Sequence, residues 1–229
     1  MKNIFWCKSC LSMSTRRRIS FNESGNCNAC QWKLKKERLD WSLREKELVS
    51  LLDKHRSSER KFDCVVPVSG GKDGSYVAHN LKNKYGMNPL CVTVNPPLQL
   101  DLGKKNLESF IDSGFSLFSV NPNPETMQFF NKKGLIEIGF PYYGWLTAIQ
   151  TIPPLIALKF GINLIFYGED GEVEYGGSTE TANKPIYNFK YMKEIYLENQ
   201  SYNSFQLMIE EAENKGYRDV GLFQFPIDS

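Results

Sequence analysis

Four cysteines near the start of the chain have the spacing of a metal site. Cys7 and Cys10 form one C-x2-C pair, Cys27 and Cys30 form a second, and 16 residues separate the two pairs. Two residues between cysteines allow a tight turn to aim both thiolates at one ion, and two such turns complete a tetrahedron. We therefore expect a structural Zn²⁺, because four cysteine ligands leave no open position for catalysis.

Two disulfides or free thiols are the alternatives for these cysteines. The opening residues, MKNIFWCKSC, lack the apolar core of a secretory signal. We therefore expect a cytoplasmic location, where disulfides are disfavoured. The segment around the cysteines has few apolar residues, so a bound metal would supply the stability that it lacks. The other two cysteines, Cys64 and Cys91, lie in predicted buried strands, where packing is the expected role.

A second motif that could take part in chemistry is the loop VPVSGGKDGS at residues 66–75. It follows an apolar strand and precedes a helix, where unpaired N–H groups and the helix dipole attract an anion and glycines allow close approach. Its spacing matches neither the Walker A loop nor the dinucleotide fingerprint, and a simple tight turn is the alternative. The predicted nucleotide-phosphate site comprises Ser69, Gly70, Gly71, Lys72, Asp73, Gly74 and Ser75.

The elements that must position these residues follow an alternating order. We expect strands at 62–68, 89–94, 116–120 and 162–168, with 221–225 as a last strand. We expect helices at 36–60, 73–85, 103–113, 125–138, 145–160 and 205–215. Ser42 and Glu45 have capping-box spacing, and Pro153-Pro154 predicts a break or kink in the helix at 145–160. Apolar strands separated by helices indicate an α/β protein with a parallel sheet covered on both faces.

The chain is predicted to have three segments: a zinc module at 1–35, a linker helix at 36–60 and an α/β domain at 61–229. Residues 1–61 hold 15 Lys/Arg against 7 Asp/Glu, whereas the rest holds 13 against 19. A basic module of this kind could attract nucleic acid, a nucleotide or an acidic partner, or could be a solvated face. No apolar run approaches the ~20 residues of a membrane helix, so no membrane partner is expected.

Carboxylates follow the predicted strand at 162–168, where ligands of open α/β sheets bind. We expect Mg²⁺ or substrate at this segment, with a solvated acidic loop as the alternative; its residues are Glu169, Asp170, Glu172, Glu174 and Tyr175. The aromatic stretch FPYYGW at 140–145 could face a sugar ring or adenine, and core packing is at least as good an interpretation. We expect His55 and His79 to be structural.

The loop at residues 69–75 resembles the PP-loop of the N-type ATP pyrophosphatases, whose pattern is SGGxDS. In this chain Gly74 stands between Asp73 and Ser75, so either Gly74 or Ser75 could fill the serine position. These enzymes cleave ATP between the α- and β-phosphates and adenylate a substrate oxygen. The resemblance implies a parallel-sheet PP-loop ATP pyrophosphatase domain, similar to the adenine nucleotide alpha hydrolases.

Nearly the whole chain resembles the N-acetyl sugar amidotransferase family of bacterial lipopolysaccharide O-antigen and flagellin-glycan pathways. The resemblance lies in CKSC, ISFNESGNCNACQW, DWSLREKELVSLLDKHR, DCVVPVSGGKD and LIFYGEDGEVEYGG. It implies conversion of an acetamido group on a nucleotide-linked or acidic sugar to acetamidino, with ATP, Mg²⁺ and a structural Zn²⁺. Family chains continue past this end, so we expect a C-terminally truncated form.

The same resemblance implies that ammonia comes from other chains. The expected partners are a glutaminase and a cyclase-like subunit, similar to those of imidazole glycerol phosphate synthase. Two rival functions remain open: a PP-loop enzyme that modifies tRNA, favoured by Arg16-Arg17-Arg18 in the basic module, and a non-catalytic docking subunit with a nucleotide fold. We do not expect nucleic acid as the main partner, because the sulfur-transfer relatives generally use catalytic cysteines in the ATPase domain.

Overall fold

The computed structural model of the protein describes residues 3–16, 18–57, 59, 61–168 and 202–226. These residues divide into two compact units. The first unit comprises residues 3–48, and the second comprises residues 49–168 and 202–226. The three-segment organisation expected from the sequence remains a prediction.

The first unit combines short bridged turns with helical structure. Antiparallel bridges join Trp6 to Met13 and Phe21 to Cys27. Helix α1 spans Asn28–Lys36, and helix α2 begins at Trp41 and ends at His55 in the second unit.

The expectation of one helix over 36–60 was wrong, because residues 37–40 separate α1 from α2. Asp40 Oδ1 accepts a hydrogen bond from the Leu43 N–H at 3.0 Å. Asp40 therefore caps α2, ahead of the capping box predicted at Ser42.

The second unit is built on a parallel sheet. Strands β1 (Cys64–Pro67), β2 (Pro89–Val94) and β3 (Ser116–Val120) lie side by side in that order. In the register of the sheet, Val66 of β1 is paired with Cys91 of β2, and Cys91 is paired with Leu117 of β3. Helix α3 (Lys72–Asn83) connects β1 to β2, and helix α4 (Asp101–Asp112) connects β2 to β3. The three predicted strands and the parallel α/β class are confirmed.

Both faces of the sheet are covered, as predicted. Three further helices are α5 (Pro124–Ile138), α6 (Tyr143–Lys159) and α7 (Tyr202–Asn214). Their buried side chains form one core with alternate strand residues: Val65, Leu90, Val92 and Val94. Because strand side chains alternate between faces, Cys64, Val66 and Cys91 lie on the opposite face. Helix α3 packs on β1 and β2 and buries Ala78 and Leu81.

The predicted strand at 162–168 is reduced to a single parallel bridge between Ile165 and Val65. The Val65 N–H donates to the Leu164 carbonyl, and the Phe166 N–H donates to the Val65 carbonyl, both at 2.9 Å. Beyond this bridge, Gly168 lies against the first turn of α3. The segment nevertheless lies beside β1, on the side opposite β2.

The predicted last strand at 221–225 was also wrong, since Val220–Phe223 forms a 3₁₀ turn. Asp219 precedes it in the left-handed region, with φ of 56°. The apolar run at 221–225 is too short to show whether its apolar residues repeat with the period of a strand or of a helix, so the sequence could not distinguish the two. Helix α6 meanwhile continues through Pro153 and Pro154, so the predicted interruption is not a break in the helix.

Candidate functional site

The four N-terminal cysteines form one cluster. Their sulfur atoms all lie within 4.8 Å of one another, with Cys7 Sγ 3.8 Å from Cys30 Sγ and Cys10 Sγ 3.5 Å from Cys27 Sγ. Sulfurs bound to a tetrahedral zinc at about 2.3 Å are separated by roughly 3.8 Å. The donor type, the number of donors and their separations all fit zinc.

Two local turns bring the cysteine pairs together. In the first, the Leu11 N–H donates to the Cys7 carbonyl at 3.0 Å, and Leu11 takes the left-handed φ of 61°. In the second, Cys27 caps α1, which places Cys30 in the first helical turn. The N–H groups of Ser9 and Cys27 donate to Cys7 Sγ at 3.4 and 3.2 Å. Such N–H donors orient a thiolate ligand.

The four thiols of the cluster differ in the direction in which their pKa values are shifted, with those of Cys7 and Cys10 lowered and those of Cys27 and Cys30 raised. Burial raises the pKa of Cys7, but backbone N–H donors outweigh it and lower that pKa to about 6. Burial and then the neighbouring thiols raise the pKa of Cys30 to about 12. Four adjacent thiolates repel one another, and a divalent ion among them would remove that cost.

Two cysteines of the cluster are also the buried side chains of the described part of the first unit. Among the described residues 3–48, the fully enclosed side chains are those of Cys7 and Cys27. A zinc held by the four cysteines would therefore stabilise residues 3–48, whose other described side chains are not fully buried.

The second candidate site is the glycine loop between β1 and α3. The Val68 N–H donates to the Val92 carbonyl at 2.9 Å, which holds the loop entrance against β2. Gly70 has φ of 78°, and a Cβ there would lie 2.9 Å from the Gly103 carbonyl oxygen. Asn106 Nδ2 donates to the Gly70 carbonyl at 3.1 Å. Helix α4 thus holds the loop in place.

The loop ends in a helix start that is suited to an anion. Gly71 is the N-cap of α3 and has no side chain to accept from the first-turn N–H groups. Ser69 Oγ accepts from the Gly71 N–H at 3.4 Å, and Ser75 Oγ donates to the Gly71 carbonyl at 2.8 Å. Lys72 Nζ lies 2.6 Å from Asp73 Oδ1, and its side chain is 87 % exposed.

Three stretches of backbone meet beside this helix start. A Cβ on Gly74 would lie 2.5 Å from the Pro67 carbonyl oxygen, and a Cβ on Gly168 would lie 2.6 Å from the Gly74 nitrogen. Gly74 therefore occupies a place where no side chain fits. Of the two candidates for the serine position of the loop, only Ser75 has a side chain there.

The topology brings the loop to the usual ligand position of an open α/β sheet. From β1 the chain passes to β2 and β3 on one side, and it later returns to the other side of β1 at Ile165. Such a switch point leaves a crevice at the carboxyl ends of the strands, where ligands bind. The loop and Gly168 both lie at that end of β1.

Several residues around the loop could not be predicted as site residues from the sequence. Gly103 and Asn106 belong to no motif. Gly168 lies in the motif LIFYGEDGEVEYGG, but its contact with the loop depends on how the 162–168 segment folds back. In the aromatic stretch, Tyr143 is a core residue at 1 % exposure. Trp145 Nε1 donates to the Val94 carbonyl at 3.1 Å, at the carboxyl end of β2.

The remaining predicted residues are surface groups or lie outside the described ranges. His55 Nδ1 lies 2.9 Å from the Leu51 carbonyl oxygen, and His79 pairs with Asn83 on the exposed side of α3. The predicted acidic site lies outside the described residues; it comprises Glu169, Asp170, Glu172, Glu174 and Tyr175. Within the described ranges, no helix has the length and apolar character needed to cross a membrane.

Comparison with known proteins gives limited likeness. No protein-family profile matches the chain. An uncharacterized protein of Methanocaldococcus jannaschii, MJ1599, is 31 % identical over 90 residues, which are 39 % of this chain and 32 % of that protein. The chain therefore spans about a third of that relative's length.

A solved structure gives a distant likeness in shape. The crystal structure of a predicted subunit of tRNA methyltransferase from M. jannaschii has a TM-score of 0.36 and 14 % identity, covering 67 % of this chain and 88 % of that one. Neither likeness assigns the chain to a family. The fold and the sites define an α/β protein with a parallel sheet, a glycine loop between β1 and α3, and a four-cysteine cluster of the zinc-binding kind.

Proposed function

We propose that the chain is an ATP-dependent enzyme of the PP-loop type that releases pyrophosphate and adenylates a substrate oxygen. The observation that carries this proposal is the glycine loop at the switch point of the sheet. The N-cap of α3, Gly71, has no side chain that could cap the first-turn N–H groups, and the exposed Lys72 side chain contacts Asp73 in the same turn. Fixed donors of this kind stabilise the charge that develops on a leaving pyrophosphate.

The first acceptor that we propose is the amide oxygen of an N-acetyl sugar, which is nucleotide-linked or acidic. This oxygen attacks the α-phosphorus, the bond to the β-phosphate breaks, and pyrophosphate leaves. Ammonia then adds to the activated carbon, a proton is lost, and AMP leaves to give an acetamidino group. Mg²⁺ would offset the phosphate charge near Asp73. The motif resemblance supports this acceptor.

We propose that ammonia comes from a separate glutaminase with a cyclase-like subunit. A glutaminase needs a cysteine thiolate as its nucleophile. Burial raises the pKa values of Cys64 and Cys91 to about 12, so neither is a thiolate near neutral pH. The N-terminal cysteines form the metal-type cluster. The second unit therefore offers no nucleophilic cysteine among its described residues.

A tRNA base is the second acceptor that we propose. Its support is the charge of the described residues 3–36, which include six Lys/Arg and one Asp/Glu, and the exposure of Trp6 at 52 %. Basic side chains with exposed aromatics suit nucleic acid. The M. jannaschii protein of distantly similar shape is a predicted subunit of tRNA methyltransferase, but a TM-score of 0.36 does not decide between the two acceptors.

Pyrophosphate release from ATP tests the proposal. The purified chain would receive Mg²⁺, ammonium and a panel of N-acetyl sugars, with candidate partner subunits added in parallel. A sugar acceptor gives AMP and a product about 1 Da lighter, since NH replaces oxygen. A tRNA acceptor gives AMP with tRNA instead, and binding that weakens steeply with salt.

A double variant tests whether the glycine loop is the pyrophosphate site. Ser69→Ala with Asp73→Ala should abolish pyrophosphate release and keep the zinc content, whereas Ser116→Ala with Asp112→Ala should change neither. The control residues are exposed and lie at the opposite end of the strands and at the end of α4. Undiminished release in the loop variant would show that the phosphate site is elsewhere. Absence of ATP binding in the wild type would favour a non-catalytic docking subunit.

A further inference from the structure

Gly168, at the end of the 162–168 segment, lies against the start of α3. A Cβ on Gly168 would lie 2.6 Å from the Gly74 nitrogen, 2.7 Å from the Asp73 carbonyl carbon and 2.9 Å from Gly74 Cα. All three atoms are backbone, so no side-chain rotation could relieve such a contact. Neither glycine has a positive φ. Glycine is therefore required at both positions by space and not by backbone conformation.

Two other stretches of backbone lie against the first turn of α3. A Cβ on Gly74 would meet the Pro67 carbonyl oxygen at the end of β1, and a Cβ on Gly168 would meet the backbone of Asp73 and Gly74. The first turn of α3 therefore contacts both the end of β1 and the 162–168 segment. The hydrogen bonds between Val65 and that segment fix the segment in turn.

We infer that Gly168 is a positioning residue for the pyrophosphate site, which sets the place of the first-turn N–H groups of α3 relative to the loop. This inference rests on the proposed function. A side chain at 168 must displace either the segment or the helix start by several tenths of an ångström. Oriented N–H donors lose their effect when they shift by such distances, because hydrogen-bond strength depends steeply on geometry.

Binding of inorganic pyrophosphate with Mg²⁺ by Gly168→Ala tests the inference. Calorimetric titration at a temperature well below the melting point should give a Kd at least about tenfold weaker than wild type. The matched control is Gly221→Ala, which places a Cβ with nothing within 4 Å and should keep the wild-type Kd. A merely structural glycine would lower the melting temperature and leave this Kd unchanged.

The outcomes separate this inference from the proposed function. A wild type that does not bind pyrophosphate overturns both. A wild type that binds, together with a Gly168→Ala variant that binds equally well, overturns the role of Gly168 alone and leaves the proposed site intact.

Hydrogen exchange on the wild type covers the case in which Gly168→Ala does not fold. Pyrophosphate should slow amide exchange both at residues 72–74 and at residues 166–168, because these backbones touch. Protection confined to the loop and the helix start would overturn the inference.

Discussion

At the scale of single residues, replacing Gly74 by alanine would have two opposing effects on stability. It lies inside α3, where alanine is favoured over glycine by about 1 kcal/mol. An alanine Cβ would nevertheless lie 2.5 Å from the Pro67 carbonyl oxygen and 3.2 Å from Val68 Cα. Since overpacking against backbone costs about 1–3 kcal/mol, we expect Gly74→Ala to lower the free energy of unfolding, as measured by urea denaturation.

Gly103→Ala is the control for that measurement. Gly103 also lies in the first turn of a helix, but a Cβ there would meet only Gln99 Cγ, at 4.0 Å. This variant should be neutral or up to about 1 kcal/mol more stable. Stabilisation of both variants by a similar amount would show that the contact at Gly74 relaxes without cost.

At the scale of elements, an ion-pair network joins α5 to α7. Glu211 lies 2.5 Å from Lys133 and 2.6 Å from Lys215, and Lys133 also contacts Glu137 at 2.9 Å. The hydrogen bond with Lys133 is the main cause that lowers the pKa of Glu211, and the same bond raises the pKa of Lys133. The side chains of this pair are a quarter to a third exposed, so solvent weakens the interaction.

The pH dependence of stability follows from these directions. The lowered pKa of Glu211 gives stability that is present above its ordinary value of 4.5 and is lost as pH falls through the folded-state pKa. The raised pKa of Lys133 gives stability that is present below 10.5 and is lost as pH rises through its folded-state pKa. The pair therefore contributes fully between these two values.

We expect Glu211→Gln to lower the free energy of unfolding at neutral pH by up to about 1 kcal/mol. The difference from wild type should shrink as the pH falls below 4.5, because the wild-type carboxylate is then protonated. Urea denaturation from neutral pH to below pH 4.5 measures this difference in the free energy of unfolding. Glu210→Gln is the control, since Glu210 forms no ion pair within the described residues. An equal difference at every pH would assign the effect to packing.

The predictions from sequence succeeded where the pattern was local. Apolar runs 89–94 and 116–120 became strands with the predicted bounds, and the spacing of the cysteine pairs predicted the sulfur cluster. The predictions failed where the secondary structure of a segment depends on the part of the fold against which it packs. The run at 221–225 packs Phe223 against Phe130, with ring centroids 4.6 Å apart, and is buried without joining the sheet.

The same reasoning explains the candidate site. The residues of the loop could be predicted because strand, glycines and helix are consecutive in the sequence. The contacts of Asn106 and Gly168 with the loop could not, since these residues lie 36 and 94 residues away from Gly70 and Gly74. Their role depends on the direction in which α4 and the 162–168 segment return to β1, and a single sequence does not contain that information.

At the scale of the whole molecule, the two units differ in what stabilises them. The second unit has a core of packed aliphatic and aromatic side chains, among them Ile152, Phe130 and Met208. The described part of the first unit encloses two cysteines instead. A change at the cysteines should therefore affect the first unit, because the second unit's packing does not depend on a metal.

We expect a chelator, or the Cys27→Ser substitution, to remove zinc and to release amide protection within residues 3–48. Pyrophosphate binding and the protection of β1 and β2 should persist, because the core of the second unit is formed by its own residues. Zinc analysis, hydrogen exchange and calorimetry on the full chain measure all three quantities, and returning zinc to the chelated wild type is the control. A wild type without zinc that melts normally would refute the metal site. Loss of pyrophosphate binding on chelation would instead show that the second unit depends on the first.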